Sequence, residues 1–246
     1  MWAIIAAALT AAISASLTLW IQPLAKPLAP PAQPPVQAVV KPANDICRGF
    51  VVPKNYKRIT PSPDVEKDWS PWLRSEGAIP ASGSEVYIEV QGTTSAGVIL
   101  TGLRIEVTRM PISTGTFVVA PQCGNVDTFR YMQIDLDKSP PAQTEVLNAD
   151  LTDDIEPPLQ ERRPVKFPYE VSKEDAETFV LRLFAENCTC AWTAEFSWLS
   201  AGRSGSIQVN DHGRPLRVAS TKGVRDSCGR LPGEPWKCRR GSAIKE

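Results

Sequence analysis

Three stretches between residues 85 and 137 alternate apolar and polar side chains with a period of two. Val86, Ile88 and Val90 alternate with Tyr87 and Glu89; Leu103, Ile105 and Val107 alternate with Arg104, Glu106 and Thr108; Met132, Ile134 and Leu136 alternate with Gln133, Asp135 and Asp137. Successive side chains of a strand point to opposite faces, so each stretch predicts a half-buried strand. Residues 116–120 add a short apolar run, and residues 179–185 a further strand. The clearest pattern lies over 188–199: Cys188, Cys190, Trp192, Ala194, Phe196 and Trp198 fall on one face, which is assigned to the core. Breaker-rich stretches at 200–205 and 211–214 then turn the chain into 206–210 and 216–218, predicting a meander. About eight or nine short strands at this spacing predict an all-β fold, an antiparallel β-sandwich that is Ig-like in the broad sense. The acidic, proline-bearing stretch 138–168 reads as a surface loop.

Ahead of this domain the pattern changes twice. Residues 3–21 hold neither a charge nor a proline and are bounded by Trp2 and Trp20. As a helix they would reach roughly 28 Å, close to a bilayer core of about 30 Å, with a tryptophan for each membrane interface. Residues 1–22 are therefore expected to be a transmembrane anchor or signal-anchor, with the lipid bilayer as partner of 3–21. A cleaved signal peptide is the alternative; the length of the run and the lack of a preceding Lys or Arg favour the anchor. Residues 23–63 are crowded with prolines, seven of them from Pro23 to Pro42. Such a tract favours polyproline II and reads as a stiff spacer. Residues 64–220 are assigned to the sandwich and 221–246 to a basic, cysteine-containing tail. Trp69 and Trp72 are expected to pack a connecting segment onto the core rather than form a carbohydrate platform.

Charge refines the picture. The chain of 246 residues has 27 basic and 27 acidic side chains, which excludes a uniformly basic nucleic-acid binder. The zero is a cancellation. Lys26, Lys41, Arg48, Lys54, Lys57 and Arg58 face only Asp45 in the spacer, and the tail carries Lys222, Arg225, Arg230, Lys237, Arg239, Arg240 and Lys245. A basic stalk and a basic tail thus bracket an acidic middle, and both could meet an anionic surface such as a wall polymer or an envelope protein.

Candidate chemistry is sparse. The one histidine, His212, lies in a predicted turn beside Asp211 and would have to be the base of any Ser-His-Asp hydrolase, yet no Gly-x-Ser-x-Gly elbow accompanies it. Asp135, Asp137, Asp150, Asp153 and Asp154 could supply oxygen ligands to calcium, but without the spacing of a calcium loop; solvated carboxylates are the plainer reading. No nucleotide fingerprint, cofactor motif or metal-ligand spacing is present, so no cofactor or metal is expected.

Six cysteines remain: Cys47, Cys123, Cys188, Cys190, Cys228 and Cys238. An even count outside any zinc-type spacing predicts disulfides and an oxidising compartment. Cys228 and Cys238 flank a run of glycines and prolines that favours closing a tail loop. In a straight strand a bond between Cys188 and Cys190 is disfavoured, so each is expected to find another partner, Cys47 or Cys123. Redox catalysis by the Cys188-x-Cys190 pair is the weaker alternative, because the strand buries both sulfurs. The compartment implied by the cysteines opposes the positive-inside reading of the basic stalk; the cysteines carry more weight and place the domain outside the cytoplasm.

Several stretches carry a resemblance: VQGTTSAGVILTGLRIEV from Val90, CGN followed by RYMQIDLDKSPP, FPYEVS, and CTCAWTAEFSWLSAGRSGSIQVNDHGRP. They resemble an uncharacterised family from Streptomyces and related actinobacteria, over roughly residues 69–220. The resemblance implies a membrane segment and variable linker ahead of a β-rich domain, and some members are labelled transcriptional regulators; it implies no activity and no site. The expectation is therefore a non-enzymatic, single-pass, membrane-anchored extracytoplasmic binding domain. The sensory part of a membrane-bound regulator, or an envelope hydrolase using His212, are the alternatives.

Overall fold

A computed structural model describes residues 33–40, 49–64, 67–119, 129–145, 162–230 and 233–241. In chain order the strands are β1 (Val36–Val40), β2 (Phe50–Val52), β3 (Ile79–Pro80), β4 (Ser84–Gly92), β5 (Val98–Met110), β6 (Gly115–Val118), β7 (Phe129–Asp135) and β8 (Ala142–Glu145). They continue as β9 (Arg162–Pro164), β10 (Tyr169–Val171), β11 (Glu177–Phe184), β12 (Thr189–Ser200), β13 (Arg203–Val209), β14 (Leu216–Ala219), β15 (Val224–Gly229) and β16 (Lys237–Arg240). A 3-10 turn, Tyr56–Arg58, and a short helix, α1 (Ser70–Glu76), stand between β2 and β3. The fold is all-β, as the alternation predicts.

The described residues form three sheets, two of which share the main core. The first runs β1-β4-β11-β7-β8, with β9 also on β7; the second runs β10-β5-β12-β13, with β14 also on β12. The first is mixed rather than purely antiparallel, since β11 and β9 lie parallel to β7. Ile88, Val90, Met132, Ile134, Phe179, Leu181 and Leu183 of the first sheet meet Leu100, Ile105, Trp192, Ala194, Phe196 and Val209 of the second in one hydrophobic cluster. Phe179 and Phe196 touch across it with ring centroids 4.8 Å apart, and Phe167 and Tyr169 close on Phe179 at 6.2 and 5.5 Å.

The core face assigned to 188–199 is correct: Cys190, Trp192, Ala194 and Phe196 are at most 1% exposed. The meander is not. Strand β13 pairs with Ala194–Ser200 of β12, and β14 returns to pair with Thr189–Trp192 of the same strand. After the 210–215 turn the chain thus extends the edge that β13 leaves unfinished. Two boundaries also move. Strands β1 and β2 lie inside the stretch assigned to a proline-rich spacer: β1 is the edge of the first sheet, paired with Ile88–Gly92 of β4. Strands β15 and β16 lie inside the stretch assigned to a basic tail.

Strands β2, β15 and β16 join β3 and the expected β6 in the third sheet, β16-β15-β6-β2-β3, which carries its own core. Phe50, Val52, Trp69, Trp72, Leu73 and Val118 pack there with Cys228. Trp72 lies edge-on to both Trp69 and Trp236, at 5.4 and 5.7 Å, so these rings are core rather than a carbohydrate platform. Gly77 ends α1 at φ 67°, a left-handed conformation, and its N–H closes onto the carbonyls of Leu73 and Arg74. The acidic stretch 138–168 contributes β8 and β9 at its two ends, which sequence polarity hides. The expected anchor at 3–21, with Trp2 and Trp20, lies outside the described residues, among which no helix is long and apolar enough to cross a membrane.

The Phe179–Phe196 contact predicts a measurable dependence. Phe179→Ala is expected to lower the unfolding free energy by about 3–5 kcal/mol, the usual loss for a buried phenylalanine. Urea titration followed by tryptophan fluorescence measures it; a loss under about 1 kcal/mol would show that the two sheets do not rest on this contact.

Candidate functional site

A cleft of about 760 Å³ opens where β1, α1 and the 210–215 turn approach one another. Its size is in the range of small-molecule sites. Val39 and Val40 of β1, Leu73 of α1, and Pro80, Pro215 and Leu216 give it apolar walls. Val39 is 56% exposed, high for a valine on a strand. Charged groups stand among these apolar ones: Arg74, Glu85, Asp211, His212 and Arg217.

Each wall has a local cause. β14 is held on β12 through Leu216↔Trp192 and Arg217↔Ala191, which fixes the positions of both cleft residues. His212 sits at φ 50° in the turn, where the N–H of Gly213 donates to Asn210 Oδ1 and the backbones of Asp211 and Arg214 bond to each other. Helix α1 is anchored from beneath by Glu76, whose side chain is almost fully buried. Its carboxylate accepts from Lys54 Nζ at 2.8 Å and from Thr60 Oγ1 at 2.5 Å, while Trp72 Nε1 donates to Thr60 Oγ1 at 3.0 Å. Burial pushes the Glu76 carboxyl up, and the hydrogen bonds from Lys54 and Thr60 outweigh it, leaving it below the usual carboxylate range.

Among the described residues the acids of the cleft have hydrogen-bond or ion-pair partners, while Arg74 acts only through space, on Asp68. Glu85 accepts from Tyr131 Oη at 3.1 Å and from Tyr87 Oη at 3.2 Å. Asp211 lies 3.9 Å from Arg214. Arg74 and Arg217 enter no ion pair or side-chain hydrogen bond among the described residues. The sequence pattern missed Glu85 and Tyr131 because both lie on strand faces assigned to solvent. The available signal was the bulk of Tyr87 and Tyr131 on those faces. Both pair with Val180, and all three are buried.

The residues singled out from the sequence fall in separate places. His212 reaches the cleft but is exposed, and among the described residues no side chain is hydrogen-bonded to it, whereas a catalytic base needs an orienting partner. Asp137 is not a solvated carboxylate: it accepts the backbone N–H groups of Glu186 and Asn187 at 2.8 and 3.1 Å and pins the turn into β12. Asp135 accepts the N–H of Asp137. Asp150, Asp153 and Asp154 lie outside the described residues, as do Cys47 and Cys123.

Of the cysteines, Cys228 and Cys238 are bonded as a directly opposed cross-strand pair of β15 and β16. The expectation for the other pair needs correction: Cys188 and Cys190 are bonded to each other. The strand begins at Thr189, so Cys188 stands just before it, and the two Cα atoms are 5.4 Å apart rather than the roughly 6.8 Å of a straight strand. The Asp137 carboxylate lies within 4.8 Å of both sulfurs, a donor set for a metal only if the disulfide opens. In the tail, Arg230 pairs with Asp64, Lys237 with Glu234 and Lys222 with Glu186, so much of its basic charge is spent within the fold.

No protein-family model, curated protein or solved structure matches the chain.

The Glu76 anchor carries a pH signature. Its carboxyl lies below the ordinary value, so the stability it contributes is present above about pH 4.5 and is lost as pH falls through the lowered value. Glu76→Gln is expected to cost about 1–3 kcal/mol at pH 7, with the difference from wild type shrinking toward pH ~3. Thermal melts across that range measure it, and a pH-independent difference would contradict the ionised anchor.

Proposed function

We propose that this chain is a membrane-tethered, extracytoplasmic binding domain whose cleft takes an anionic amphiphile: an apolar body with a carboxylate or phosphate head. One observation carries the reading. Within an apolar cleft Glu85 and Asp211 each stand beside a protein partner, whereas Arg74 and Arg217, both exposed, form no ion pair among the described residues and are available to an anionic head. The apolar walls supply affinity without direction, and the arginines supply the orientation of the head. The two disulfides support an oxidising compartment, and the uncharged run at 3–21 supports the tether.

Titration calorimetry on the full chain tests the ligand class. Dodecyl phosphate or dodecanoate is expected to bind, and comparison of the two decides which head is preferred; dodecyltrimethylammonium and inorganic phosphate alone are expected to fail. Arg217→Ala and Arg74→Ala should each weaken binding about 10- to 150-fold, the worth of one charge-assisted hydrogen bond. Equal binding of the cationic amphiphile, or unchanged affinity in both variants, would sink the proposal. In cells expressing the full chain, an impermeant thiol reagent applied after reduction is expected to label the protein without lysis. Labelling confined to lysed cells would place the domain inside.

A further inference from the structure

We propose that Cys188–Cys190 is a thiol–disulfide exchange site for a small dithiol, with Asp137 as the charged residue that positions and tunes it. The bond joins residues two apart in one chain segment, so it ties no element to another. The backbone around it is already fixed without it: Thr189–Trp192 is hydrogen-bonded to β5 on one side and to β14 on the other. Loop-closure entropy grows with ring size, so this small ring contributes least to stability. Cys228–Cys238 is the contrast within the same molecule, since it locks two strands that meet only at the edge of the third sheet.

Asp137 places a carboxylate within 4.8 Å of both sulfurs and holds it there with amide hydrogen bonds from Glu186 and Asn187. A fixed negative charge at that distance disfavours a thiolate on either cysteine and keeps the opened pair protonated. The same hydrogen bonds hold the 186–187 turn that leads into Cys188. Both cysteines are buried, Cys188 at 2% exposure next in the chain to the exposed Asn187 and Cys190 at 0%. That burial selects a small dithiol over a protein.

The exchange balances as follows. A thiolate of the dithiol attacks Cys188 Sγ, the Cys188–Cys190 bond breaks, and Cys190 leaves with the electron pair and takes a proton from water. The second thiol of the reagent, giving its proton to water, then attacks its own mixed-disulfide sulfur. Cys188 is released and protonated, and the reagent departs as a cyclic disulfide. Two electrons pass from the dithiol to the protein.

The test treats the full chain with graded dithiothreitol, quenches with acid, alkylates, and quantifies each cysteine by peptide mass. The Cys188–Cys190 bond is expected to be half reduced at a dithiothreitol concentration at least tenfold below that needed for Cys228–Cys238, with the near-UV circular dichroism retained. In the reduced protein, Asp137→Asn should move the alkylation profile of Cys188 to lower pH, while Asp137→Glu keeps the wild-type profile. Both bonds opening together, Cys188–Cys190 opening only as the near-UV signal is lost, or an alkylation profile unmoved by Asp137→Asn would each overturn the proposal. Should Asp137→Asn fail to fold, the dithiothreitol comparison on the wild-type chain decides alone.

Discussion

The pairing of β12 with β5 is the constraint on which the rest of the molecule depends. Thr189–Leu199 runs antiparallel to Ile99–Met110, shifting register only between Ser197 and Trp198. Because β12 is satisfied along one edge, its inward face can carry Trp192, Ala194, Phe196 and Trp198 in a row against the first sheet. Its other edge is shared by β13 and β14 in succession, so the 210–215 turn must project where one strand stops and the other starts. That turn, with the beginning of β14, forms one wall of the cleft. The start of β12 carries the Cys188–Cys190 bond. Core, cleft and disulfide thus hang on one strand.

The second structural decision is the use of short, polar pieces to build a sheet. Strands β2, β3, β6, β15 and β16 span only two to six residues each, too few to specify a stable sheet by alternation. They are held instead by a tryptophan cluster and a cross-strand disulfide. Below them the Lys54–Glu76–Thr60 hydrogen bonds tie α1 to the chain segment after β2. The arrangement costs a buried carboxylate but orients α1, and so presents Leu73 and Arg74 to the cleft.

This explains what could be read from the residues and what could not. Long half-buried strands announce themselves: β4, β5, β7 and β12 alternate because one face meets water and the other the core. Short strands lack the length to show a period, so β1 at the edge of the first sheet and β2 of the third read as spacer, and β15 and β16 of the third as tail. The meander misled because proximity in sequence favours pairing of neighbouring strands, whereas here β14 follows the unfilled edge of β12. The Cys188–Cys190 bond is disfavoured only by a straight strand that starts at Cys188, one residue before the strand begins. The cleft was illegible for another reason: its charged residues come from α1, β4, the 210–215 turn and β14, and nothing local marks their convergence. His212 was singled out for its chemistry, but its place on the cleft wall is set by the turn.

The most direct measurement uses the fact that His212 is the only histidine. In a nuclear magnetic resonance titration of the full chain with dodecyl phosphate, its imidazole signals stand alone and report on one wall of the cleft. They are expected to shift progressively and saturate at the concentration where binding saturates. Imidazole signals that stay in place while the amphiphile binds would locate it elsewhere and contradict the assignment of the cleft.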